Sequence, residues 1–205
     1  MLVTDILDYD KKKVLVQLDG YLMFPLYKGE VTKYHLQKDC EVPDDICTEI
    51  IKVLLPKRAK LRAMNLLQKR SYTTVGLRRK LLEGHYPETM VDEAIEYVTS
   101  YGYVDDVRYA EEFIRCYSEN RSKRRIMQDL FVKGIDVAVA EQAWHQYELM
   151  NTPVDEEGQI IELLSKKKFD VETADSKERI KIINYLYRKG YSLESINRCM
   201  KSDWE

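Results

Sequence analysis

The sequence predicts a mainly α-helical protein: three tandem three-helix repeats forming an elongated, curved array, with a small N-terminal β-hairpin or sheet in front. Three observations carry this. Apolar residues fall at helical spacing from Lys57 onward, the same apolar pattern recurs at offsets of 49 and then 56 residues, and period-two alternation is confined to the first 43 residues. The expected units are a hairpin plus helix over 1–56, then one repeat each over 57–106, 107–150 and 151–205.

In the N-terminal part, Val14, Val16 and Leu18 alternate with Leu15 and Gln17, and Leu22, Phe24 and Leu26 follow at period two. Asp19-Gly20 between the two runs signals a hairpin, because a type I′ turn needs two residues that tolerate positive φ. A first strand around Val3–Tyr9 is expected to pair with it. A lone hairpin is marginal in water, so this sheet must pack on something. Residues 44–55 read as a helix capped by Asp44 or Asp45, with Ile46, Ile50, Val53 and Leu54 on one stripe. Pro56 is expected to end or kink it.

The repeats are read from three aligned sets: Leu77, Leu81, His85, Tyr86, Val91 and Ile95; Ile126, Leu130, Gly134, Ile135, Ala140 and Trp144; Ile182, Leu186, Gly190, Tyr191, Ile196 and Met200. Each set places two apolar residues four apart on a helix, then a position suited to a left-handed C-cap, then an apolar residue. Gly134 and Gly190 suit that cap because glycine adopts positive φ without a Cβ penalty. The first copy has His85 there with Gly84 adjacent, so its helix is expected to end one residue earlier. Pro87, Asp136 or Ser192 opens the next helix. A further helix precedes each pair, over 58–70, 107–117 and 156–166, and 151–158 is open to being loop. Such a unit buries little alone, so neighbours are expected to stack and complete the core.

Composition excludes several classes. With 44% hydrophobic and 33% charged residues the chain is neither disordered nor membrane-like, and no apolar run is long enough for a span. The start lacks a basic segment and carries early carboxylates, unlike a secretory signal. Cys40, Cys47, Cys116 and Cys199 form no CxxC pair and read as reduced thiols of a cytosolic protein.

Net charge is only −2, but charge is segregated. Residues 57–80 hold nine bases and no acid, 81–107 seven acids and no base, 108–133 seven bases against four acids, and 134–165 seven acids and no base. At 100° per residue, Arg79 lies opposite the apolar face with Lys80 beside it, and Arg125 points outward, with Lys181 at the same repeat position. Arg78 and Arg124 lie nearer the apolar edge, their stems along it. Taken singly, each of these residues reads as part of a solvated face with i,i+4 pairs; like charges crowded without counter-charges cost stability, so the stripe as a whole reads as a surface for a polyanion or an acidic protein. The candidate contact residues are Lys57, Arg58, Arg62, Lys69, Arg70, Arg78, Arg79, Lys80, Arg121, Lys123, Arg124, Arg125 and Lys181.

These residues carry a resemblance. Residues 62–71, then Leu77-Arg78-Arg79-Lys80-Leu81-Leu82, resemble the opening repeat of the RecX regulators, and Gly102-Tyr103-Val104-Asp105-Asp106-Val107-Arg108-Tyr109-Ala110 resembles that family's most specific turn. Arg121, Ile126 and Leu130 to Ile135 resemble its second repeat. The similarity is strong over 57–150 and weaker over 151–205. It implies three tandem three-helix repeats, binding of the RecA recombinase in the groove of its filament on DNA, restraint of its ATPase and strand exchange, and no catalytic residues. His85 and Pro56 depart from the pattern and leave the N-terminal geometry open.

Chemistry is otherwise sparse. His35, His85 and His145 lie far apart, and His145 shares a helix face only with Glu148, so no metal set is read. No phosphate loop, dinucleotide motif or nucleophile elbow occurs, and no cofactor or small-molecule substrate is expected. Asp105-Asp106 reads as satisfying the start of a helix. Most of the fifteen tyrosines read as core edge, and stacking on exposed bases is open to one or two that the sequence does not single out. The competing functions are filament binding, direct binding of DNA phosphates by the 57–80 block, and a helical-repeat enzyme or nuclease subunit, which no constellation supports.

Overall fold

The structure is a computed structural model that describes residues 1–151 and 154–201. Thr152 and Pro153, within the stretch open to being loop, lie outside the described residues. Two compact units are present, Met1–Asp105 and Asp106–Glu205.

The first unit opens with an antiparallel sheet of β1 (Val3–Asp8), β2 (Lys13–Leu18) and β3 (Leu22–Tyr27) in that order. Val14, Val16 and Leu18 face Leu26, Phe24 and Leu22 across the ladder, so both period-two runs serve one buried face. Asp19 and Gly20 take φ of 50° and 77°, and the Tyr21 amide donates to the Leu18 carbonyl, as the turn chemistry requires. The sheet shares one apolar core with the helices that follow, among them Leu55, Ala59, Leu77, Leu81, Val91 and Val98. That shared core is what a three-stranded sheet needs to persist in water.

After α1 (Lys28–Lys33) the chain enters α2 (Asp44–Thr48), a π-helical segment (Glu49–Leu54) and α3 (Leu55–Leu67). The junctions keep helical dihedrals, so these three run on as one helix, which Pro56 does not end. Pro56 has no N–H for the carbonyl four residues back, and its ring crowds that carbonyl; the widened turn just before it absorbs both. Two expectations change as a result. Val53 is 60% exposed instead of joining the Ile50 stripe, because the next fully buried residue after Ile50 is Leu55. The helix also starts from Pro43 with no side-chain cap, leaving Asp44 and Asp45 in its first turn.

The repeat helices are α4 (Thr74–Leu82), α5 (Glu88–Ser100), α6 (Asp106–Tyr117), α7 (Lys123–Val132), α8 (Val137–Met150), α9 (Glu156–Lys166), α10 (Ser176–Arg188) and α11 (Leu193–Met200). Leu77, Leu81, Ile126, Leu130, Ile182 and Leu186 are all buried. His85 itself takes the left-handed conformation, at φ 59°, matching Gly134 at 85° and Gly190 at 92°. Its ring gains an edge-on contact with Tyr9 at 5.1 Å, which glycine could not make. Asp136 and Ser192 cap their helices by side chain, whereas Pro87 stands at the N-cap with no such bond.

In the second unit, α6–α8 close one apolar core around Ile114, Leu130 and Trp144, and α9–α11 close another around Ile160, Leu186 and Ile196. The two cores do not merge, unlike the expectation that neighbours complete each other. Val154 packs on the first of these cores, and polar bonds join the repeats beside it. Buried Gln159 donates to the Ser118 carbonyl at 2.6 Å and accepts from the Tyr191 hydroxyl at 3.2 Å. Ser122, which caps α7, donates to the Lys189 carbonyl at 3.0 Å. Gly190 sits against this bond so closely that a Cβ would fall 2.6 Å from the Ser122 hydroxyl.

Candidate polyanion-binding surfaces

In the first unit the cations come from α3, the turn after it and α4. Helix α5 is acidic and packs along α3 and α4, so it answers part of this charge directly. Arg78 forms an ion pair with Asp92, and Lys60 reaches Glu93 at 3.9 Å while lying over the Tyr97 ring. Lys80 pairs with Glu83 at 2.5 Å on its own helix. Arg58 turns inward: it pairs with Glu30, lies over the Tyr27 ring and reaches the Pro25 carbonyl at 3.5 Å, tying α3 to the sheet. Charge that the sequence segregates by helix is thus partly neutralised by packing, and the crowding expected along the stripe is reduced. Lys57, Arg62, Lys69, Arg70 and Arg79 are exposed and make no ion pair among the described residues. Arg70 stacks over Tyr72 at 4.5 Å.

In the second unit Asp129 receives both Arg121 at 2.7 Å and Arg125 at 3.0 Å. Arg121 also lies 3.9 Å over the Tyr117 ring. Lys123 reaches Glu141 at 3.6 Å and covers Trp144. Arg124, expected at the apolar edge, is exposed and stands over Tyr187 of the next repeat at 5.3 Å. Lys181 is exposed beside a cleft of about 760 Å³ that Lys166, Lys167 and Lys168 also line. The lysine run 166–168 was legible in the sequence but fell outside the charge blocks aligned with the repeats. Arg188 and Lys189 were missed because only the fold brings a helix end against the neighbouring repeat.

The aromatic residues sort by position. Tyr109, Tyr117 and Tyr147 edge a core, whereas Tyr101 and Tyr103 are exposed and stack on each other at 5.9 Å. Burial, with the Glu156 carboxylate as a lesser cause, pushes the Tyr191 hydroxyl up to about 12. Glu148 accepts from the Trp144 indole at 2.5 Å, and His145 stands exposed beside it. Among the described residues no group of three or more His, Cys, Asp or Glu is arranged to hold a metal, and all four cysteines are free. No helix of the described residues is long and apolar enough to cross a membrane.

Fold and surface together define a tandem helical-repeat protein that carries clusters of exposed cations and tyrosines. Models of the first, second and third three-helix domains of RecX match residues 59–97, 105–143 and 155–200. The regulatory protein RecX of Clostridium acetobutylicum is 30% identical over 195 residues, 93% of this chain and 90% of its own. The chain belongs to the RecX family of regulatory proteins. A Neisseria meningitidis serogroup C regulatory protein RecX is 28% identical over 149 residues, 73% of this chain and 93% of its own. A crystal structure of a regulatory protein RecX shares the fold at a TM-score of 0.62 and 20% identity, covering 97% of this chain and 98% of that one.

Proposed function

We propose that this chain binds the RecA recombinase filament on DNA and restrains its ATPase and strand-exchange activities, acting in the cytoplasm by contact and not by catalysis. The observation that carries the reading, beside family membership, is the set of exposed cations on the first repeat that packing leaves without a carboxylate: Lys57, Arg62, Lys69, Arg70 and Arg79. A nucleoprotein filament repeats acidic faces and phosphates at regular spacing, and repeated helical modules offer a contact of matching period. Of the residues on which filament contact is expected, Arg79 and Arg124 make no ion pair among the described residues, whereas Lys80 and Arg125 must first release Glu83 and Asp129.

The test is DNA-dependent ATP hydrolysis by the cognate recombinase, titrated with this protein. Inhibition well below one regulator per recombinase protomer is expected, because a bound regulator caps or blocks extension of many protomers. Charge reversal at Arg79, Lys80, Arg124 and Arg125 together is expected to abolish it at moderate salt. Undiminished inhibition by that variant would sink the surface assignment, and no inhibition by the unaltered chain would sink the reading itself.

A further inference from the structure

The strongest unassigned feature lies in the second unit, where the end of α10 meets the start of α7. A cleft of about 450 Å³ is lined there by Arg121 and Arg125 from one repeat and by Arg188, Lys189, Tyr185 and Tyr191 from the next. Among the described residues no carboxylate lines it. Asp129 holds both Arg121 and Arg125, so those two guanidiniums share one negative charge. Arg188 and Lys189 make no ion pair among the described residues; Arg188 donates only to the Asn184 carbonyl at 3.3 Å.

Tyr185 also lines the neighbouring lysine cleft, so the cationic surface continues past a single pocket. Two lysines lie over its ring, Lys167 at 4.2 Å and Lys189 at 5.7 Å. That cleft also holds Lys168 and Lys181, which make no ion pair among the described residues, while Lys166 is taken by Glu162, and Asp170 and Glu178 line the same cleft. The cleft is preformed, because the Ser122–Lys189 and Ser118–Gln159–Tyr191 bonds fix the two repeats against each other.

We propose that this surface binds the phosphodiester backbone of a nucleic-acid strand, with Arg188 and Lys189 on one phosphate and Lys167 or Lys181 on a following one. Guanidinium forks match phosphate oxygens, and a row of ammonium groups suits the phosphates that follow. The two adjoining clefts hold more cations than one phosphate needs. An acidic protein segment fits less well, because protein interfaces gain from an apolar centre, and among the described residues the two clefts offer four apolar side chains, Leu163, Phe169, Ala174 and Ile182, against eight cations. The site uses none of the first-repeat cations and needs no recombinase.

The test uses the full chain without recombinase and a fluorescein-labelled oligothymidylate of about 20 nucleotides, followed by anisotropy across salt. Arg188→Gln/Lys189→Gln is expected to weaken binding about tenfold near 100 mM salt and to flatten the log–log salt slope by about 1.4, the loss of two single-strand contacts. A bromodeoxyuridine-substituted strand is expected to photo-cross-link at Tyr185. A control of equal charge loss in the β1–β2 turn, Lys11→Gln/Lys12→Gln, is expected to change affinity by less than about twofold. The proposal is overturned if the cleft variant binds like the unaltered chain, if polyglutamate binds as tightly with the same residue dependence, or if ATP or inorganic phosphate occupies the cleft while the strand does not bind. None of these outcomes bears on inhibition of the recombinase, so the two readings fail separately.

Discussion

At the residue scale, the positions that matter most do two jobs. Gly190 supplies a positive φ at the end of α10 and lets the Lys189 carbonyl reach Ser122 of the neighbouring repeat. Alanine there meets both the left-handed strain and a hydroxyl 2.6 Å from its Cβ. Gly190→Ala is therefore expected to destabilise the second unit by about 2–3 kcal/mol, checked by urea denaturation. Tyr191 makes a different prediction. Its hydroxyl is held at about 12 when folded, above the ordinary value near 10, so between these the folded state keeps a proton that the unfolded state has lost. The stability Tyr191 contributes is fully present below pH 10 and falls as pH rises toward 12, at about 1.4 kcal/mol per pH unit. Tyr191→Phe should flatten that part of the stability–pH curve; an unchanged slope would show that other groups set it. The identities of both residues were readable from repeat alignment, but their shared contact was not, since nothing in a repeat pattern says which neighbour a loop touches.

At the element scale, sequence periodicity was a good guide wherever helices are regular. The hairpin at Asp19-Gly20, the buried pairs such as Ile126 and Leu130, and the caps at Asp136 and Ser192 follow from local chemistry that a short window contains. The misses come where packing overrides the window. A strict 100° step places Val53 inside, yet the π segment changes the step and turns it out. Steps between buried residues show it: Cys47 to Ile50, then Leu55, Ala59 and Ala63. Leu54, four residues after Ile50, is only half-buried, and the fully buried position passes to Leu55, as one wide turn requires. Charge was misjudged for a related reason. The acids of α5 are distant from Arg78 in sequence, so the ion pair with Asp92 is invisible until the helices pack. Arg58 resembled its basic neighbours in sequence but faces Glu30 and the sheet.

At the scale of the whole molecule, three apolar cores are present among the described residues, one in the first unit and two in the second. The basic residues likewise belong to a first-repeat set and a second-unit set, and the sequence displayed both without showing which were already answered by a carboxylate. Leu186 is fully buried in the last core. Leu186→Ala is expected to remove about 2–5 kcal/mol from that core while leaving amide-exchange protection around Leu130 and Trp144 nearly unchanged, read residue by residue by hydrogen exchange. Uniform loss of protection across the second unit would show that its cores are coupled. If they are not, the polar seam at Gln159 acts as a bulkhead: injury to one compartment stays there, and the last module can fray or be rebuilt by mutation while its neighbour keeps its shape.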